Sequence, residues 1–174
     1  MVRRIYVKKK EGFNIEAKEL LADLQQNLGI KGLKNIILLN RYDVQNITEE
    51  TFEKAKNTVF SEPQVDECFV ENYPFNKEDN ILGVEFLPGQ FDQRANALEE
   101  CLQILAGGDR PIAKSAKIYI LQGNLSNSDL ERIKKYIINQ VDSRECSLEK
   151  YKTLEEKTED PADVKIVNGF IIII

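Results

Sequence analysis

The chain repeats itself with a period of about 78 residues, and this restricts it to folds assembled from two like halves. Phe13, Asn14, Ala17, Leu20 and Leu24 recur as Phe91, Asp92, Ala95, Leu98 and Leu102. One slot out of register, Tyr42 and Val44 recur as Tyr119 and Leu121. The spacing then returns: Asn46, Phe52, Ala55, Val59, Phe60 and Cys68 align with Asn124, Leu130, Ile133, Ile137, Ile138 and Cys146. Solenoids and propellers use shorter units, roughly 20–50 residues. A period near 78 predicts two fused copies of a small α+β unit. The competing explanation is chance similarity between two stretches of like element order; against it, the matches fall on the same faces in the same sequence.

Local patterns give the elements. Residues 3–8 alternate and are rich in β-formers, so a first strand is expected there, broken by Gly12. Asn14 is the expected N-cap of a helix running to about Leu28, with Ile15, Leu20, Leu21, Leu24 and Leu28 at helical spacing and Gly29 as its stop. Leu33 to Val44 reads as a strand or a bent hairpin. Thr48 starts a second helix carrying Phe52, Ala55, Val59 and Phe60, ended by Pro63, and Val65 to Val70 is a short strand. Residues 71–80 are polar and turn-rich, a connector between the copies. The second copy follows the same order: strand Ile81 to Leu87, turn Pro88-Gly89, N-cap Asp92, and a helix with Phe91, Ala95, Leu98, Leu102 and Leu105 as its apolar stripe. Gly107-Gly108 closes that helix. A strand from Ala113 to Leu121 comes next, then a helix capped by Ser126 or Ser128. The expected domain plan is 1–70 and 81–150 as the two copies, with 151–174 as a linker.

Charge excludes some functions. With a net charge of −5 spread evenly, no basic face stands out, which argues against nucleic acid as a partner. Arg3, Arg4, Lys8, Lys9 and Lys10 are the densest basic cluster and read as a solvated strand end. No apolar run reaches membrane-spanning length and no signal-peptide core is present, so no membrane partner is expected and the cytoplasm is the default compartment. The chain contains no histidine. That removes histidine-activated nucleophiles, histidine-ligated metals and the commonest general base. Three widely spaced cysteines, Cys68, Cys101 and Cys146, fit buried inert thiols better than a disulfide or zinc framework.

The most distinctive local sequence is Leu87-Pro88-Gly89-Gln90-Phe91-Asp92-Gln93-Arg94-Ala95. It reads as a strand end, a tight turn and a helix start. Gly89, Gln90, Asp92, Gln93 and Arg94 form the candidate contact site, toward a partner or a substrate. Arg94 could add a bidentate charge to helix-terminal amides. The alternative is that Asp92 caps the helix while Gln90, Gln93 and Arg94 tie the turn to a neighbouring domain. Gly107-Gly108-Asp109-Arg110-Pro111 lacks the lysine-serine ending of a phosphate loop and reads as a helix stop. Arg144, Glu145 and Asp142 read as a surface ion-pair cluster.

The run from Val84 to Ala95, together with Asn40-Arg41-Tyr42-Asp43-Val44, Val59 to Asp66 and Ser143-Arg144-Glu145, resembles the N-terminal region of the large single-chain phosphoribosylformylglycinamidine synthases. The resemblance covers essentially residues 1–170. It implies a tandem of small-S-subunit-like units, each of roughly ferredoxin-like βαββαβ order, related by a pseudo-twofold. It also implies a place in de novo purine biosynthesis, in a ligase and glutamine amidotransferase that converts formylglycinamide ribonucleotide to formylglycinamidine ribonucleotide. In that family ATP and magnesium belong to a synthase domain, and the ammonia-releasing cysteine belongs to a glutaminase domain. These 174 residues carry no cofactor of their own in this reading and are expected to be inactive alone, with the synthase and glutaminase domains as partners. The four terminal isoleucines depart from the family pattern, and an exposed β-prone end is an aggregation hazard, so the natural chain is expected to continue. A different class of function also fits: a free-standing regulatory module binding a small ligand between paired ferredoxin-like units.

Overall fold

Six segments pair into one antiparallel sheet, and the four intervening helical segments lay their apolar stripes on it. The computed structural model describes residues 1–155. In chain order the elements are β1 (Val2–Lys9), α1 (Ile15–Gln26), β2 (Leu33–Gln45), α2 (Glu49–Lys56), β3 (Asp66–Val70), β4 (Asn80–Phe86), α3 (Gln93–Ala106), β5 (Ile112–Gly123), α4 (Asn127–Ile137) and β6 (Ser143–Glu145). The sheet order is β3-β1-β2-β5-β4-β6. Corresponding strands of the two halves therefore meet the same neighbours, with β2 and β5 joined antiparallel in the middle.

The hairpin expected as one option over 33–44 does not form. β2 is one continuous strand because each of its edges has a partner, β1 on one side and β5 on the other, and it contains no Gly or Pro at which to turn. Each half thus carries three strands in β-α-β-α-β order, rather than the four strands of βαββαβ. The third strand of the second half, β6, is short and polar, with no alternation to announce it. It pairs with β4 and so brings Arg144 and Glu145 into the sheet edge.

The helices cover one face in two pairs. Phe52 and Ala55 of α2 share a core with Ala95, Leu98 and Leu102 of α3 over Ile5, Val7, Tyr42 and Val44. Leu24 of α1 shares a second core with Ile133 of α4, Leu33, Ile36 and Leu121. The repeat register holds in these cores: Ala17 and Ala95 are both buried, as are Leu24 and Leu102. Ile15, Phe91 and Leu105, expected on apolar stripes, are solvent-exposed instead, as is Phe13, the repeat partner of Phe91. Phe13 and Phe91 precede their helices by two residues, so helical periodicity does not govern where they point. Cys146 is buried and Cys68 half-buried, and burial pushes both thiols up; Cys101, also expected inside, is exposed.

The opposite face is crossed by two stretches of chain. After β3, Tyr73 and Phe75 pack around Tyr6, Phe75 edge-on and Tyr73 tilted. After β6, residues 147–155 return over β1 and β2. Residues 151–155, read from composition as the start of a linker, belong to this folded layer: Leu154 is buried and its amide donates to the Gln45 side-chain oxygen at 2.7 Å. The expectations for the isoleucine end lie outside the described residues. No helix among the described residues is long and apolar enough to cross a membrane.

Candidate binding groove

The turn between β4 and α3 splits the predicted site residues into three roles. Leu87 is anchored by its amide to the Asp142 carbonyl at 2.8 Å, and Gln90 closes the turn onto the Leu87 carbonyl at 3.0 Å. Gly89 holds φ +83, a conformation in which a side chain is strained, and with Gln90 it lies exposed at the tip. Phe91, next to them, is 69% exposed. Asp92 is an internal tie. It accepts the Ala95 amide at 2.9 Å as N-cap, and it also accepts the Ser115 amide and hydroxyl of β5, each at 2.9 Å. Asn14, its counterpart before α1, makes no side-chain cap bond.

Gln93 and Arg94 turn toward the middle of the sheet. There they border a cavity of about 540 Å³ with Asn40, Ser115, Lys117 and Tyr119. A second cavity of about 630 Å³, bordered by Asn14, Glu16, Lys18 and Asn35, shares Asn40 and Arg94 with the first. Together they form a groove between the two helix pairs. Arg94 Nη1 donates to the Tyr42 hydroxyl at 3.3 Å. Partial desolvation works against the Arg94 charge, but the Tyr42 hydrogen bond and the nearby Glu16 and Asp92 carboxylates outweigh it and raise its pKa. Glu16 itself pairs with Lys117. Burial, with Glu16 adding to it, pushes the Tyr119 hydroxyl up to about 12.

On the other face lies a charged cluster that local sequence does not announce. Arg4, expected to be solvated with its basic neighbours, is buried in a bidentate pair with Asp43. Arg41, equally buried, lies 3.1 Å from Asp43 and 3.8 Å from Glu85. The remaining guanidinium donors hold the returning chain: Arg4 reaches the carbonyls of Leu148 and Glu149, and Arg41 reaches that of Ser147 at 2.7 Å. The Tyr151 hydroxyl donates to Glu85, which Arg144 also holds. Three more members of the expected basic patch are neutralised, Arg3 on Glu49, Lys8 on Glu67 and Lys9 on Asp66, while Lys10 donates to the Pro63 carbonyl.

Among the described residues no group of three or more histidine, cysteine or acidic side chains could hold a metal ion. No protein-family model and no curated protein matches this chain.

Proposed function

We propose that this chain is the non-catalytic N-terminal assembly domain of a cytoplasmic, glutamine-dependent and ATP-consuming ligase of the phosphoribosylformylglycinamidine synthase kind. In this reading two α+β units, fused in tandem and related by a pseudo-twofold, bridge a synthase domain that uses ATP and magnesium and a glutaminase domain that releases ammonia. Support comes from the motif strings around Val84–Ala95, Asn40–Val44 and Ser143–Glu145, and from the mirrored strand order of the two halves. The observation that carries it most is the turn at Pro88–Phe91. Asp92 is consumed in holding the helix to β5, yet Gly89, Gln90 and the apolar ring of Phe91 are left facing solvent. An aromatic ring at the tip of a polar turn fits a partner contact better than it fits this domain alone.

The test mixes the purified chain with a separately expressed synthase–glutaminase polypeptide lacking this region. Restored glutamine-dependent formation of formylglycinamidine ribonucleotide, lost again in Phe91→Asp, is the expected result. Turnover that is indifferent to the added chain overturns the reading. A second reading, a regulatory module for a small ligand, is favoured by the groove at Asn40 and Arg94.

A further inference from the structure

Strands that line a core keep their inward positions apolar, because a buried polar group costs free energy unless it is satisfied. β2 obeys this rule with one break. Its inward positions run Ile36, Leu38, Asn40, Tyr42, Val44. β5 breaks the rule at Ser115, which is tied to Asp92, and at Lys117, between Ala113 and Tyr119. The antiparallel register sets Asn40 directly opposite Lys117. These two interruptions are therefore one polar spot at the centre of the sheet, under the seam where the helix pairs part. Departures from local folding rules concentrate at functional positions.

The groups around that spot have the chemistry of an anion receptor. Glu16 neutralises Lys117, while Arg94 has no carboxylate within ion-pair distance among the described residues. Among the described residues its Nε and Nη2 donors find no hydrogen-bond partner, nor does the Asn40 side-chain amide. Two of the other cations near the groove are engaged on their own strand partners, Lys8 with Glu67 and Lys9 with Asp66, while Lys18 stands at the border of the second lobe. A guanidinium fork matches carboxylate and phosphate oxygens in pairs. The two lobes, about 540 and 630 Å³, have the size of metabolite sites.

We propose that this groove binds a small metabolite bearing a carboxylate or phosphate, with Arg94 receiving the oxyanion and Asn40 and Lys117 completing the cradle beneath it. The body of the ligand lies along the lobe lined by Ser115 and Tyr119. The site stands on the groove alone and requires no synthase or glutaminase partner.

The test titrates the 174-residue chain with inorganic phosphate and with acetate at matched ionic strength, while the Arg94 Nε–Hε resonance and the backbone amides near Asn40 and Lys117 are followed by NMR. Saturable shifts at these positions are expected. Arg94→Gln should weaken binding about tenfold or more, Arg94→Lys should restore only part of it, and Arg110→Gln, a surface arginine on Glu99, should leave it unchanged. Amide dispersion verifies that each variant is folded, and Asn40→Ala provides a second probe from the sheet. Tighter phosphate binding supports the site and names a phosphate ester; tighter acetate binding supports it and names a carboxylic acid. Shifts that do not saturate, or that persist in Arg94→Gln and Asn40→Ala, overturn the proposal. Because no partner polypeptide is involved, that failure would leave the assembly reading untouched, and failure of the mixing experiment would leave this site untouched.

Discussion

Arg4 meets Asp43 through two parallel hydrogen bonds, Nε to one carboxylate oxygen at 2.6 Å and Nη2 to the other at 3.0 Å, with both side chains almost wholly out of water. The pair links β1 to β2, and the same guanidinium then clamps the chain at Leu148 and Glu149. Removing one member of a buried pair strands the other charge. Arg4→Met should therefore destabilise the protein by about 3 kcal/mol in urea unfolding, with Arg41 softening the loss at Asp43. Limited proteolysis should show cleavage at 147–155 before the rest of the chain yields.

Asp92 carries more than a helix cap. Loss of the cap bond alone costs about 1 kcal/mol, and two further bonds to Ser115 go with it. Asp92→Ala should cost about 2–3 kcal/mol, while Asp92→Asn, which keeps one accepting oxygen, should cost about half as much. A denaturation midpoint for Asp92→Ala within error of the parent protein would refute this.

Arg94→Ala should change stability by only about 0.5 kcal/mol, since the side chain is accessible and holds one long hydrogen bond to Tyr42. Thermal unfolding of the variant checks it; a large drop would make Arg94 a structural residue and remove it from both functional readings.

Tyr119 and Tyr151 are each pushed up to about 12, chiefly by burial. Their folded-state pKa values lie above the unfolded value of about 10, so the folded protein holds protons that the unfolded chain releases. The associated stability is complete below pH 10 and is lost as pH rises toward 12. Tyr119→Phe should leave stability near pH 7 almost unchanged and flatten this alkaline decline by on the order of 1–2 kcal/mol, read from urea midpoints across that range.

Gly32 faces Gly123 so closely that a methyl group at either position would collide with backbone, Gly32 against the Asn124 carbonyl and Gly123 against that of Gly32. The Asn124 amide donates to the Gly32 carbonyl at 3.1 Å across the same approach. Gly32→Ala should cost about 3 kcal/mol, more than Gly108→Ala, whose added methyl meets open space. Equal melting temperatures for the two variants would contradict the close approach.

The local signals carried α3 most fully, because its cap, glycine stop and helical stripe are written within one or two turns: Asp92 and Gly107 both sit where their chemistry predicts, whereas Asn14 before α1 makes no cap bond. β6 was not legible, since Ser143–Glu145 is too short and polar to alternate and exists only because β4 offers an edge. Nor was the burial of Arg4, which reads as one more cation in a basic strand until Asp43 and the returning carbonyls are placed around it. The candidate turn was legible, but the groove was not. Asn40 and Lys117 lie 77 positions apart, and their polarity becomes a shared feature only once the β2–β5 register is known.

The β2–β5 ladder has a consequence for how molecules of this chain meet one another. The main junction between its halves is a strand pair, and one stretch of chain, residues 71–79, leads from the first half to the second. Two copies at high concentration can satisfy the same ladder reciprocally, β2 of one against β5 of the other, with no new contact to invent. The exchangeable unit of this protein is then the half-chain, and 71–79 is the hinge whose length and stiffness decide between a closed monomer and an intertwined pair.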